Sequence, residues 1–589
     1  METQPTPVAT NSALSHRSTA ASALLLALAV FTGLWLLNTP YRQAYQPSHD
    51  DVTALVDGLL LLPGARWTDW FTQGHTHFFI PYPEWSIAQT GFARPAYQCA
   101  IYLAHFVLGR DWSSYLAINY LALAGIAAVG FAITRRVLGL GIAGALVAAA
   151  LVLLAPAVSE FSLGILGAGS ESWASLLIGC AFLALVGERR MLCLLLLLVA
   201  VFTKETALWA PLAAAATVLW DRRGLRTQIA WAAAMLVPMA LWITFRIAFY
   251  GGIGGTYATA DYASPAAFLA LLGWKLLHLH PLFISQQPFS TAPGWAALDQ
   301  GIRIATALLL LVVLLAWAFS ALRALVGRTT RVAAEQITER RGFLFVSLWA
   351  AVALGFYLLL AVGSPRYAAA TAMFAWPAIV AVALRGRRWI LRAALAAVLL
   401  LSFARTTHYL AALNPPRVDS ETAHFFHAIG AMNAALRAVP PNIRQIYVLT
   451  EDGMVPVTPD YLRAFLGLDA TLIRLADLSW GCTREEAVTV AHSEADGEAI
   501  VDATVPDCAR FFFFDSAIAA NAVKDGELRR NDAMTYQLPD ARSVVAPDGT
   551  TSMLALGRRI ILHVRPNGPA RFIVEHGAPD GGLAWFDTP

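Results

Sequence analysis

Apolar runs of about 20 residues recur through the first 411 positions, and short polar breaks between them carry paired arginines. The pairs are Arg135-Arg136, Arg189-Arg190, Arg222-Arg223, Arg340-Arg341 and Arg387-Arg388. A helix of that length crosses a hydrocarbon core of ~30 Å. The pattern predicts eleven such segments, at about 19–37, 113–134, 140–158, 171–187, 191–203, 206–220, 227–247, 300–322, 343–362, 367–384 and 389–411. Short Arg-rich loops stay on the cytoplasmic side. Placing every pair there gives one thread, with a cytoplasmic N-terminal tail (1–18) and everything beyond 411 on the outer side. The 191–203 and 206–220 segments are short and meet at Thr203-Lys204-Glu205. Helices that short reach only part of the way across, so their apex is expected to line a cavity where charge is hydrated or paired. The outer loops 38–112 and 248–299 carry apolar stretches at 93–108 and 265–285, read as helices lying on or dipping into the outer leaflet.

The pattern changes after residue 411. Asn414-Pro415-Pro416 ends the last apolar run, and alternation of apolar and polar positions takes over. It predicts strands at 443–450, 471–475, 498–504, 510–514 and 558–564, with helices at 420–438 and 459–467. The expected fold is a polytopic α-helical membrane protein, its transmembrane region spanning 19–411, followed by a soluble, extracytoplasmic α/β domain at 412–589.

Composition narrows the choices. Only 14% of residues are charged and mean hydropathy is +0.56. Soluble domains carry about 25% charged residues, which excludes a soluble enzyme on a single anchor. A net charge of +3 is too small to indicate nucleic acid. The 19–37 run is too long for a signal-peptide core and lacks an obvious cleavage site, so it is read as a retained span. Cys482 and Cys508 fall in the outer domain, where an oxidising compartment permits a disulfide. No CxxC or Cys/His ligand spacing is present, against a structural zinc site. His75 with His77, and His278 with His280, share a face of a strand but not of a helix, and a metal site is not expected there.

Five groups of residues can carry chemistry, and the thread places all of them at the outer membrane boundary. In Ser48-His49-Asp50-Asp51 one carboxylate can act as a base if its neighbour and partial burial raise its pKa; the plainer reading is a solvated acidic turn or N-cap. Arg94, before Pro95, can hold a phosphate through paired N–H donors or simply anchor a helix end. Glu160 closes Ala155-Pro156-Ala157-Val158-Ser159-Glu160, and Glu171 opens the next span, where it can cap the helix or pair with a cation. Lys204-Glu205 lies inside an apolar hairpin, where ionisable residues are costly and usually functional, although the two can also neutralise one another. In Ser364-Pro365-Arg366-Tyr367, Arg366 can contact a phosphate and Tyr367 donate a hydrogen bond, or the two form an ordinary interfacial pair.

The order SHDD, FARP, APAVSEF, GSES, FTKETALWAP and SPRY resembles the membrane type C glycosyltransferases, most closely the branch of protein O-mannosyltransferases and transmembrane-TPR O-mannosyltransferases. The resemblance covers 20–250 well and 340–411 loosely; residues 412–589 have no counterpart in it and show no TPR period. The family's His-Pro before the third-span Glu is here Ala155-Pro156. The resemblance implies sugar transfer from a polyprenyl-phosphate-linked donor to a hydroxyl acceptor on the outer face, with inversion and without a cofactor or metal. Asp50 or Asp51 would be the base. Arg94, Lys204, Arg366 and Tyr367 would bind the donor phosphate, and His49, Glu160, Glu171 and Glu205 would support them. The implied setting is a bacterial inner membrane, with membrane lipid around the helices, a periplasmic C-terminal domain and no nucleic-acid partner. The rival readings are a transporter or flippase of lipid-linked sugars, and a non-catalytic relative whose outer domain binds a partner. Charge gathered at one face, and the lack of repeated halves, argue against a transporter.

Overall fold

The computed structural model describes residues 9–44, 66–68, 94–109, 112–159, 163, 169–220, 224–250, 265–284, 296–326, 334–360, 365–385 and 389–413 of the helical part. In the C-terminal part it describes 431–432, 434–451, 468–480, 488–495, 497–507, 509–513, 523–524, 527–531, 533–538, 542–545, 552–575 and 583–588. His49, Asp50, Asp51, Glu160, Cys482 and Cys508 lie outside the described residues, as do His75 and His77 and the expected helix at 459–467.

A helix occupies each of the eleven segments that the apolar pattern marked. Eight are long and apolar enough to cross a membrane: Ser18–Leu37, Ser113–Val137, Gly169–Val186, Leu225–Phe249, Leu298–Val326, Arg340–Leu359, Pro365–Arg385 and Trp389–Thr407. Three are shorter: Ile142–Leu154, Arg190–Thr203 and Glu205–Leu219. The chain is an integral membrane protein of many helices. The 140–158 segment, expected to be continuous, is broken. Ala155 is extended (φ −68°, ψ 127°) between the Ile142–Leu154 helix and the short Pro156–Ser159 helix. The ring of Pro156 disfavours the helical region for its predecessor, which fits the break at Ala155. The apolar stretches within 38–112 and 248–299 form helices as expected, Pro95–Leu108 and Pro265–Leu277.

The helices pack on an aromatic core. Trp349 meets the rings of Phe182, Trp209 and Phe374 at centroid distances of 5.2, 5.9 and 5.4 Å, and its indole N–H donates to Thr217 Oγ1 at 2.9 Å. Close approach elsewhere depends on glycine. A Cβ on Gly179 would press on Val129 and Met373, and one on Gly342 on the carbonyl of Val137.

The C-terminal part holds more strand than the sequence suggested. Its thirteen described strands begin with β1 (Gln445–Glu451), β2 (Thr471–Trp480), β3 (Thr489–Ala495), β4 (Glu498–Thr504), β5 (Ala509–Phe513), β6 (Val523–Lys524) and β7 (Glu527–Asn531). They continue with β8 (Met534–Gln537), β9 (Arg542–Val545), β10 (Ser552–Gly557), β11 (Arg559–Val564), β12 (Ala570–Glu575) and β13 (Leu583–Thr588). One sheet runs β13-β12-β1-β2-β5-β10-β9, with β1 parallel to both β12 and β2. The other runs β3-β4-β11-β8-β7-β6 and is antiparallel throughout. Of the expected helix at 420–438, the described residues 431–432 and 434–437 are helical. Arg571 ties that turn to the sheet, donating to Ala438 O at 2.9 Å and to both Asp587 oxygens at 2.6 and 2.7 Å. The rings of Tyr447, Phe572 and Phe586, neighbours across three strands, stack at 4.6 and 4.8 Å.

Candidate functional site

The site begins with two helices that stop early. Arg190–Thr203 has 14 residues, about 21 Å at 1.5 Å per residue, well short of a ~30 Å core. Thr203 stands at its end, its hydroxyl donating to Val199 O at 2.8 Å. Lys204 then takes an extended conformation (φ −158°, ψ 134°), the C-cap of one helix and the N-cap of the turn Glu205–Leu208. That single extended residue places two ionisable side chains at an apex inside apolar sequence. Its structural neighbour is the first turn of Gly169–Val186, which packs so closely that a Cβ on Gly169 would collide with Asn119 Oδ1 and the Tyr97 hydroxyl.

Lys204 is the centre of the charge. Its Nζ lies 3.1 Å from Glu171 Oε1 and 3.4 Å from Glu205 Oε1, and its side chain is 3% exposed. Arg94, just ahead of the Pro95–Leu108 helix, reaches the other side of Glu205, with Nη2 3.2 Å from Oε1. Burial alone would lower the Arg94 pKa, but the adjacent Glu205 carboxylate outweighs it and the pKa rises. Thr206 donates to Glu171 Oε2 at 2.7 Å. The turn Pro365–Ala368 closes the group: Lys204 Nζ lies 5.4 Å from the Tyr367 ring centroid, and Arg366 Nη2 donates to the Tyr367 hydroxyl at 3.2 Å.

Six residues singled out in the sequence therefore meet: Arg94, Glu171, Lys204, Glu205, Arg366 and Tyr367. They come from four separate stretches, and all stand at helix ends, so the group lies at one end of the bundle. Glu171 is in the first turn of its helix as expected, but its oxygens go to Lys204 and Thr206. Lys204 and Glu205 do pair, yet each also has a second partner of opposite charge. Two cations interleaved with two carboxylates offset part of the cost that each ion pays on leaving water. Such a group offers cationic donors to an anion and carboxylates to a hydroxyl. Among the described residues, no group of three or more His, Cys, Asp or Glu is placed to hold a metal ion.

Sequence reasoning missed Lys275. It is 1% exposed, and its Nζ donates to Tyr357 O at 2.9 Å and contacts Leu360 O, at the end of the Ala334–Leu359 helix. A lysine on terminal carbonyls satisfies acceptors that the helix cannot. It also anchors the chain just ahead of the Pro365–Ala368 turn. The available signal was one lysine in the otherwise apolar stretch Pro265–Leu277. Its neighbours His278 and His280 stack at 6.3 Å, and His278 Nδ1 is 2.8 Å from Trp274 O.

Fold and site together define a polytopic membrane protein that buries interleaved charge where short helices end. No protein-family model matches the sequence, and comparison with the curated proteins finds no match. The structure is similar to that of ArnT from Cupriavidus metallidurans bound to undecaprenyl phosphate, at a TM-score of 0.41 and 15% identity, over 91% of this chain and 98% of that one. It is similar also to the Archaeoglobus fulgidus oligosaccharyltransferase in the apo form, at a TM-score of 0.43 and 14% identity, over 77% of this chain and 64% of that one.

Proposed function

We propose that this protein transfers a sugar from a polyprenyl-phosphate-linked donor to a hydroxyl acceptor at the outer face of the membrane. The observation that carries the reading is the convergence of Arg94, Lys204 and Arg366 at one end of the bundle, with Glu171 and Glu205 between them. A lipid-linked donor needs a site at a leaflet boundary and cations on its phosphate. The phosphate is a good leaving group, so the essential parts are stabilisation of its departing charge and a base for the acceptor proton. Arg94, Lys204 and Arg366 supply the first, with the Tyr367 hydroxyl as a further donor. Asp50 or Asp51 supplies the second: its carboxylate takes the acceptor proton, the acceptor oxygen attacks the anomeric carbon, and the bond to the donor phosphate breaks with inversion. Glu171 and Glu205 hold the cations in orientation before the donor arrives, and His49 and Glu160 take the supporting role that the resemblance gives them. The resemblance to the O-mannosyltransferase branch makes a mannose-type donor the first to try. The setting proposed is a bacterial inner membrane, with residues 412–589 in the periplasm.

The test is incubation of the purified full chain with a labelled polyprenyl-phosphate sugar and candidate hydroxyl acceptors. Binding that Lys204→Ala weakens, together with release of the polyprenyl phosphate, supports the reading. Binding without turnover over a broad acceptor panel would favour a non-catalytic relative. No binding to any lipid-phosphate sugar would end it.

A further inference from the structure

A second cationic group lies on different helices. In the first turn of the Ala296–Val326 helix, Asp299 is buried between two arginines. Arg303 Nε lies 2.6 Å from Asp299 Oδ2, and Arg405 Nη2, from the Trp389–Leu413 helix, lies 3.2 Å from Oδ1. The two arginines differ in exposure: the Arg405 side chain is 1% exposed and that of Arg303 is 30%. Arg303 thus spends its Nε on the carboxylate, and among the described residues neither of its terminal amino groups makes a polar contact. A guanidinium held by Nε presents its two terminal amino groups as a fixed fork, the shape that suits phosphate oxygens. One turn from Arg405 on the same helix, Ser402 is fully buried, and among the described residues its Oγ has no hydrogen-bond partner. A hydroxyl buried without a partner is costly, and a bound oxygen-rich group would relieve that cost.

The level of this group in the bundle follows from its neighbour. Trp317 Nε1 donates to Ser347 Oγ at 3.1 Å, and Arg340 Nε to Ala324 O at 2.9 Å. The Ala296–Val326 and Ala334–Leu359 helices are therefore antiparallel, and the register carried upward sets Arg303 level with about Leu360. That is the end that carries the Pro365–Ala368 turn and Lys204. Around its own helix, Arg303 borders the bare side formed by Ile304, Leu308, Leu311 and Leu315, 49–59% exposed. Such a side faces acyl chains, so Arg303 stands where a leaflet's headgroups meet the protein.

We propose that Arg303, braced by Asp299 and Arg405, binds the phosphate of an anionic phospholipid in the leaflet beside the proposed donor site. The site is separate from the Lys204 group and does not depend on the reaction proposed above. A bilayer-facing occupant is favoured over a soluble anion because the arginine opens along an apolar helix side. The Asp299 brace fixes the arginine, leaving the lipid to complete its charge.

The experiment is lipid titration of the full-length protein by native mass spectrometry, with phosphatidylglycerol as probe. Arg303→Gln is expected to weaken the tightest phosphatidylglycerol site roughly fivefold, the scale of one basic residue at an anionic surface. Arg303→Lys, which keeps the charge and loses the fork, should fall between the unmodified protein and Arg303→Gln, and Lys204→Ala should leave phosphatidylglycerol binding unchanged. The proposal is overturned if Arg303→Gln binds phosphatidylglycerol as the unmodified protein does. It is equally overturned if millimolar inorganic phosphate displaces the lipid, or if Arg303→Gln weakens binding of a polyprenyl phosphate and not of phosphatidylglycerol.

Discussion

Two ion-pair groups in this molecule have similar geometry and opposite settings. In the antiparallel sheet, Arg559 grips Asp502 through two hydrogen bonds of 3.0 and 2.7 Å, with side chains 52% and 32% exposed. At the helix ends, Lys204 and Glu171 meet at 3.1 Å with side chains 3% and 6% exposed. The exposed pair has the better bonds and the smaller consequence, because water screens it and competes for both partners; such pairs contribute roughly 0–1 kcal/mol. The buried pair costs more to assemble, since each ion must leave water, and removing one partner leaves the other stranded, at roughly 3–5 kcal/mol. On the function proposed above, the arrangement serves an incoming phosphate: the buried carboxylates would hold cations in place whose full attraction is used when the donor arrives.

The largest effect expected tests the catalytic half of that reading. Asp50→Asn or Asp51→Asn, whichever residue is the base, should lower turnover by roughly 10²–10⁴-fold with donor binding nearly unchanged. Single-turnover rates beside equilibrium binding would show it; unchanged turnover in both variants removes the acidic pair from the mechanism.

Lys204→Met comes next. Losing one charge-assisted contact should weaken donor binding by roughly 10–100-fold and lower thermal stability through the stranded carboxylates. Adding Glu171→Gln should recover part of the stability and none of the binding. If binding returns along with stability, Lys204 is a structural ion and the comparison above collapses.

Gly169→Ala probes the packing that brings the two halves of the buried group together. Its new Cβ meets Asn119 Oδ1 and Tyr97, an overpacking worth about 1–3 kcal/mol, read as a lower melting temperature. An unchanged melting temperature would mean that the first turn of Gly169–Val186 is free to shift.

The smallest effect belongs to the exposed pair. Arg559→Ala should change stability by less than about 1 kcal/mol and leave donor binding as it was. A large loss there would show that exposure is a poor guide to which pairs matter in this chain.

The difference between the two regions also marks how far the sequence can be read. In the helical part, hydrophobicity alone locates the elements. A membrane span must be both long and apolar, and few other structures satisfy both conditions. The break at Ala155 was not read from the sequence, because a proline such as Pro238 or Pro377 also sits inside a continuous helix. In the sheet region the signal thins. β3 (Thr-Val-Ala-His-Ser-Glu-Ala) lies at the edge of its sheet with most of its side chains exposed, so its residues need not alternate cleanly and periodicity passes over it. Strands such as β12 are pinned by distant partners, β1 and β13, that no local window contains.

For the candidate site, the sequence by itself determined which residues were unusual. Lys204 and Glu205 stand out because charge in apolar sequence is costly, and Arg94 and Arg366 because each adjoins a proline at a helix start. What only the tertiary structure decided is who pairs with whom. Arg94 and Glu205 are 111 positions apart, and Glu171 and Thr206 are 35 apart. Lys275 acquires a role only because the end of another helix, at Tyr357 and Leu360, comes to rest on it. The cost of burying a charge is a property of the residue and its local sequence, so it can be read in one dimension. The identity of the counter-charge depends on helix ends converging in space, and that is fixed by packing.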